Sequence, residues 1–167
     1  MLVSQVMSRD VRVAHPIQSI RDVAEIMAEI DAGFMPVGEN DQLVGVITDR
    51  DITVRAVAAG KGPYTAVRDV MTRDIRYCFE DEDLDHVARN MGEQRVRRMP
   101  VVDRHKRLVG VLALADVALS DLGAAGHAIA GVSMPGGPHN QLTQLAYVMR
   151  DEASALGRAA AVCPHRS

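Results

Sequence analysis

Val3-Ser4-Gln5-Val6-Met7-Ser8-Arg9-Asp10-Val11-Arg12 comes back later in the chain as Val67-Arg68-Asp69-Val70-Met71-Thr72-Arg73-Asp74-Ile75-Arg76. The correspondence runs on at the same offset. Val23-Ala24 and Met27 return as Val87-Ala88 and Met91, and Met35-Pro36-Val37 as Met99-Pro100-Val101. After one inserted residue, Leu43-Val44-Gly45-Val46 returns as Leu108-Val109-Gly110-Val111, and Asp51 as Asp116. Roughly a third of the aligned positions are identical, far above chance for a colinear match at one period. The chain holds two copies of one unit.

Each copy predicts the same succession of elements. Residues 10–13 and 74–77 are short runs that include β-branched residues and suit a strand. Ser19 followed by Asp22 resembles a capping box, and Ile20, Val23, Ala24, Met27 and Ile30 follow at helical spacing. The second copy starts its helix at Asp83, with Leu84, Val87, Ala88 and Met91 on the apolar stripe. Two short strands come next, at residues 34–37 and 43–48, joined by the polar turn Glu39-Asn40-Asp41. Pro36 and Pro100 cannot donate to a ladder, so their strands are expected at an edge or beginning at the proline. A second helix, over 49–59, is closed by Gly60, and its counterpart ends near Gly123. The unit is β-α-β-β-α. A unit of about 60 residues is marginal alone, so the two are expected to pack sheet to sheet as a pseudo-twofold pair of mixed α/β (α+β) class.

The expected organisation is therefore a first repeat over residues 1–62 and a second over 63–125. Residues 126–140, rich in Gly, Pro and Ala, read as a linker. Over 141–161, Leu142, Leu145, Val148, Met149 and Leu156 fit an amphipathic helix, which with its tail to 167 must dock on this chain or a neighbour. The 167 residues are 47% hydrophobic and 25% charged, with net charge −3. That balance is too apolar for disorder and too even for an obligatory polyanion or membrane partner. Cys78 and Cys163 cannot form a disulfide framework, which suits a reducing compartment. Arg9 and Asp10 stand where a secretory signal needs an apolar run, and no stretch approaches the ~20 apolar residues of a membrane helix. The expectation is a cytoplasmic protein.

Gly45-Val46-Ile47-Thr48-Asp49-Arg50-Asp51 lies where a strand gives way to a helix. Unpaired amides at a helix start suit a phosphate, and the Thr48 hydroxyl can cap the helix or meet a ligand. Asp51, one turn on, can accept hydrogen bonds from both hydroxyls of a ribose. Gly45 lets another group approach the backbone closely. On spacing alone the string is equally an ordinary strand-to-helix cap.

The duplicated unit, its Asp-Val-Met-Thr opening, the Met-Pro-Val-Val-Asp middle and the Gly-x-x-Thr-x-x-Asp ending together resemble the cystathionine-β-synthase (CBS) domain family, paired as in a Bateman module. The resemblance covers residues 1–124. It implies a non-catalytic regulatory module that requires no cofactor. Such pairs bind adenosine-containing ligands (AMP, ADP, ATP, S-adenosylmethionine, sometimes NAD) between repeats and pass occupancy on as a change in shape or assembly. It also implies a homodimer of pairs and, with no effector domain in the sequence, a regulated partner on a separate chain. Carried over by position, Thr48 is the phosphate-side hydroxyl and Asp51 the ribose-gripping carboxylate; Asp116 matches that carboxylate in the second copy. There Ala113 replaces the hydroxyl, a loss of one hydrogen bond of ~1 kcal/mol, about fivefold in affinity. The first site is expected to be the stronger. By the same resemblance, adenine packs on Val13, Met35 and Pro36 in the first site and on Tyr77, Met99 and Pro100 in the second.

Arg95, Arg97 and Arg98 cluster before Met99, and Arg50 and Arg55 flank the first motif. Arg98 and Arg50 are candidates to neutralise a ligand phosphate, against the plainer reading of a solvated surface. A nucleic-acid role is disfavoured by the acidic net charge and few aromatics. The run Glu80-Asp81-Glu82-Asp83 reads as a turn placing negative charge at the next helix start rather than as a metal site. No nucleophile–base pair or phosphate-loop string argues for an enzyme. The alternative from another class is a constitutive dimeric scaffold whose clefts are vestigial.

Overall fold

The computed structural model describes residues 1–133. In the first repeat, α1 spans Ile20–Glu29, β1 Phe34–Glu39, β2 Gln42–Thr48 and α2 Asp49–Asp51, which widens into a π-turn over Ile52–Val57. In the second, β3 is Cys78–Phe79, α3 Leu84–Gln94, β4 Arg98–Val102, β5 Leu108–Ala113 and α4 Leu114–Ser120. A last helix, α5, follows at Leu122–Ser133. The mixed α/β class is as expected, and so is the α-β-β-α order that follows the opening segment in each repeat.

The Ser19 capping box forms: Asp22 N donates to Ser19 Oγ at 3.1 Å, and Ser19 N to Asp22 Oδ2 at 3.4 Å. Ile20, Val23 and Met27 are buried on its stripe, whereas Ala24 and Ile30 are exposed. Asp83 caps α3 through the amides of Asp85 and His86. Leu84, Val87, Ala88 and Met91 are all buried.

The opening strands depart from expectation. Residues 10–13 and 74–77 form no strand; pairing begins only with an isolated bridge at Ala14 and with β3 at Cys78. The reason lies in the prolines opposite. Ala14 N donates to Pro36 O and Gly38 N to Ala14 O, both at 2.9 Å. One step earlier the parallel ladder would need an N–H from Pro36, and in the other repeat from Pro100; neither exists. Pro100 therefore sits inside a central strand, but its third-strand neighbour pairs only from Val101 onward.

The second helix of the first repeat is not regular. The Thr53 hydroxyl donates to the Asp49 carbonyl at 2.9 Å, and Ala58 N reaches back to Thr53 O at 2.9 Å. A β-branched run with such back-bonding loosens the α spacing, and Gly60 at φ +71° closes it. In the second repeat, α4 stops at Ser120. Asp121 is extended and its carboxylate accepts from the amides of Gly123 and Ala124, starting α5.

Residues 126–133, expected within a linker, are helical. Gly131 serves packing instead. A Cβ on Gly131 would fall 2.5 Å from the Gly92 carbonyl oxygen, and one on Gly92 would fall 3.2 Å from the Ala128 Cα. The α3 and α5 backbones thus meet at two glycines, with alanines supplying helix propensity around them. Residues 134–140 of that linker and the amphipathic helix expected over 141–161 lie outside the described residues.

The two cores exchange arms. Val3 and Met7 are buried among Cys78, Leu84, Val87, Met91, Met99 and Leu112 of the second repeat. Val67, Val70 and Met71 are buried among Ile20, Val23, Met35, Val37 and Ile47 of the first. Ser8 pairs with Val111 on β5, and Thr72 pairs with Val46 on β2, so each arm covers an edge strand of the other repeat. Gly45 and Gly110 make room for this. A Cβ there would lie 2.7 Å from Met71 Sδ and from Met7 Sδ, respectively. The group that Gly45 admits is the neighbouring arm.

Candidate functional site

At the end of β2, Thr48 and Asp51 bond reciprocally. Asp51 N donates to Thr48 Oγ1 at 3.1 Å, while Thr48 N and Oγ1 donate to Asp51 Oδ2 at 3.0 and 2.8 Å. The other carboxylate oxygen, Oδ1, lies 3.3 Å from Arg55 Nη1. The motif is thus a satisfied cap, and Asp51, with its side chain 13% exposed, has two of its acceptor directions taken by Thr48 and one by a cation.

The equivalent point on β5 is built differently. Ala113 N donates to Asp116 Oδ2 at 2.8 Å, with no hydroxyl to add. Ser120 stands where the first repeat has Arg55, and its hydroxyl turns back onto the Asp116 carbonyl at 2.7 Å. No cation among the described residues pairs with the Asp116 carboxylate.

Two clefts open between the repeats, and each takes parts from both. The Thr48 cleft, about 420 Å³, sets Thr48, Asp49 and Arg50 against Thr72, Asp74, Arg76, Arg95, Arg97, Arg98 and Pro100. The Asp116 cleft, about 780 Å³, sets Ala113 and Asp116 against Asp10, Val11, Arg12, Glu29, Asp31 and Pro36, with Arg98 again on its border. The grouping expected from sequence is therefore crossed. Pro36 belongs with Asp116, and Pro100 with Thr48, because each arm delivers its repeat across to the other's motif. Phe34 and Arg98, at equivalent positions of the two repeats, border both clefts.

The remaining expected residues fall elsewhere. Met35 and Met99 are 1% and 2% exposed and belong to the cores, since side chains alternate along a strand and their neighbours Pro36 and Pro100 take the cleft face. Val13 lines a third cavity, about 630 Å³, between the two hairpin tips with His15, Leu43 and Leu108. Tyr77 lines none of the three and packs edge-on against Phe79, ring centroids 5.7 Å apart. Asp51 stands behind Thr48 rather than on the cleft wall.

Sequence reasoning left Arg76 unassigned, although it repeats Arg12 and both border a cleft. Arg95 and Arg97 it saw only as a surface cluster. The signal for all three was their position beside the Met-Pro strand or the arm of the partner repeat. Among the described residues, no helix is long and apolar enough to cross a membrane, and no group of three metal-ligating side chains gathers.

The CBS domain family model matches residues 3–57 and 67–122, the two repeats found above. The chain belongs to the CBS domain family. This CBS pair is 33% identical over 133 residues to the CBS domain-containing protein YhcV of Bacillus subtilis, covering 78% of this chain and 94% of that one. It is 39% identical over 103 residues to Hypoxic response protein 1 of Mycobacterium tuberculosis, covering 60% and 71%. Among solved structures it is similar to the CBS domain pair of protein MJ0100 in complex with 5′-methylthioadenosine and S-adenosyl-L-methionine, at TM-score 0.65 and 31% identity over 74% of this chain and 97% of that one. It is also similar to CBSX2 in complex with AMP, at TM-score 0.66 and 28% identity over 73% and 96%.

Proposed function

We propose that this CBS pair is a non-catalytic cytoplasmic sensor that binds an adenine nucleotide in the Thr48 cleft and signals its occupancy to a separate protein. The observation that carries the reading is the wall of that cleft: Arg50, Arg76, Arg95, Arg97 and Arg98 face only Asp49 and Asp74, of which Asp74 pairs with Arg76 at 3.4 Å. A constitutive scaffold has no need of five guanidiniums around one concavity. A nucleotide phosphate chain does, because guanidinium–phosphate hydrogen bonds are charge-assisted and forked. Pro100 and Val46 give the base an apolar wall. AMP in the CBSX2 structure and two adenosyl compounds in the MJ0100 structure support the class of ligand. Signalling requires only that the ligand prefer one arrangement of the repeats over another.

A homodimer fits the outer helices. Val54 and Val57 of the first repeat and Leu119 and Leu122 of the second are exposed at equivalent positions, the two leucines by 90% and 82%. A second copy offers the same apolar surface in return.

The test is thermal unfolding with AMP, ADP, ATP, NAD, NADH and S-adenosylmethionine, on the wild type and on the double variant Arg50→Ala, Arg97→Ala. A ligand at ~100 times its Kd stabilises the fold by about 2.7 kcal/mol. One adenine nucleotide is expected to shift the wild type and not the variant. If none shifts the wild type, the scaffold reading takes its place; the internal satisfaction of Asp51 is the observation in its favour.

A further inference from the structure

We propose that the two clefts sort ligands by charge: the Thr48 cleft takes a 5′-phosphorylated nucleoside, and the Asp116 cleft takes a nucleoside whose 5′ position carries no phosphate. This rests on the nucleotide reading above and deepens it. The repeats descend from one unit, yet their clefts carry opposite charge. Around the Asp116 cleft stand Asp10, Glu29, Asp31 and Asp116, against Arg12 and Arg98. Arg12 lies beside Glu29, its Nη2 4.0 Å from Oε2, so the two offset one another. Arg98 borders the cationic cleft as well, and a single guanidinium cannot serve a ligand in both at once. A phosphate entering here loses its water at a wall where carboxylates outnumber guanidiniums and one of those guanidiniums is shared with the other cleft.

The rest of a nucleoside is well provided for. Asp116 spends Oδ2 on one backbone amide and meets no guanidinium like the one that holds Asp51. Its carboxylate is therefore free to accept hydrogen bonds from a ribose diol without displacing a partner. Phe34, Pro36 and Val111 supply an apolar wall for the base. At about 780 Å³ the cavity is within the range that holds a ligand of this size. Ala113, which removes the hydroxyl on the phosphate side, belongs to the same design: one side-chain donor is missing from the end where a phosphate would lie. The first cleft differs at these points: Arg76 pairs with Asp74 at 3.4 Å, Arg50, Arg95 and Arg97 have no carboxylate partner among the described residues, and the Asp51 carboxylate is held back by Thr48 and Arg55.

The experiment is calorimetric titration with two probes, ATP and 5′-methylthioadenosine; the second keeps adenine and ribose and carries no charge. The expected result is one site for each on the same chain, with saturating ATP leaving 5′-methylthioadenosine binding intact. Asp116→Asn keeps an acceptor for the Ala113 amide and should weaken 5′-methylthioadenosine at least tenfold while leaving ATP within twofold. The triple variant Asp10→Asn, Glu29→Gln, Asp31→Asn should admit a second ATP. Raising the salt should weaken ATP and not 5′-methylthioadenosine. Competition of the two probes for one site, or two ATP per wild-type chain, overturns the sorting while leaving the nucleotide reading standing. If neither probe binds, the nucleotide reading itself falls and the sorting with it.

Discussion

Asp51 and Arg55 are joined across one helical turn at 3.3 Å, and the same Nη1 of Arg55 donates to the Val70 carbonyl at 2.9 Å and to the Thr72 hydroxyl at 3.0 Å. One guanidinium thus ties the ligand-class motif of the first repeat to the arm that leads into the second. A ribose that reaches Asp51 Oδ1 has to share it with Arg55 or replace it. Arg55→Ala is expected to bind an adenine nucleotide severalfold more tightly than the wild type, and to lose about 1 kcal/mol of stability because the arm is no longer tied. Titration of both proteins checks this. Equal or weaker affinity in the variant would show that the ligand does not use that oxygen.

The two strand-to-helix junctions are a natural pair for testing the cap. Thr48→Ala turns the first junction into a copy of the second, keeping the amide bond to the carboxylate and losing both hydroxyl bonds. A cost of ~1 kcal/mol is expected, a fall in Tm of roughly 2–4 °C. Ala113→Thr adds what the second junction lacks, and a rise of similar size is expected. Thermal unfolding of the two variants without ligand reads both. No rise in Ala113→Thr would mean that the β5–α4 junction has no room for the hydroxyl's cap geometry.

Much of this architecture was legible in the residues, for reasons that can be named. Capping at Ser19 and Asp83, the stripe through Leu84 and Met91, and closure at Gly60 all follow from local chemistry acting within one turn. What could not be read was long-range. Nothing in Val3 or Val67 says that each is buried in the other repeat's core, and from that exchange follows the crossed pairing of Pro36 with Asp116 and Pro100 with Thr48. Gly131 looked like a linker glycine because a glycine packed against another helix has the same letter as a flexible one. The engagement of Asp51 was half visible: Arg55 stands four residues on, the spacing of a helical ion pair, but whether the carboxylate meets a cation or a ligand is a matter of geometry.

The exchanged arms make a regional expectation. Val3 is fully buried in the second repeat's core, so Val3→Ala should cost about 1–3 kcal/mol. The loss should appear in the wrong half of the chain by sequence. Hydrogen exchange is expected to quicken in α3, β4 and β5 and to stay unchanged in α1. Quickening in α1 would mean that the arm serves its own repeat.

The glycines of α5 and its neighbour divide into two kinds. A Cβ at Gly131 would collide with the Gly92 backbone, whereas one at Gly126 meets nothing within 4 Å. Gly131→Ala should therefore push α5 off α3 and cost about 1–3 kcal/mol. Gly126→Ala, on the same helix, should stabilise by up to about 1 kcal/mol through helix propensity alone. Chemical denaturation of both settles the matter, and a stabilising Gly131→Ala would be incompatible with the close crossing.

Cys78 tests the second core without altering it. Its thiol is 3% exposed, and burial, with a smaller contribution from Glu82, pushes it up to about 12. Because the neutral thiol is the form the fold accommodates, its contribution to stability is complete below the ordinary value near 9 and is lost as pH rises toward 12. At neutral pH the folded protein holds far less thiolate at this position than the unfolded chain does. Iodoacetamide at pH 8, read by peptide-resolved mass spectrometry, is therefore expected to leave Cys78 unmodified in the native protein and to label it readily in urea. Since Cys78 packs with Val3 and Met7 of the exchanged arm, Val3→Ala should raise the native labelling rate. Labelling of the wild type at the unfolded rate would show that the core opens around β3 far more often than its packing implies.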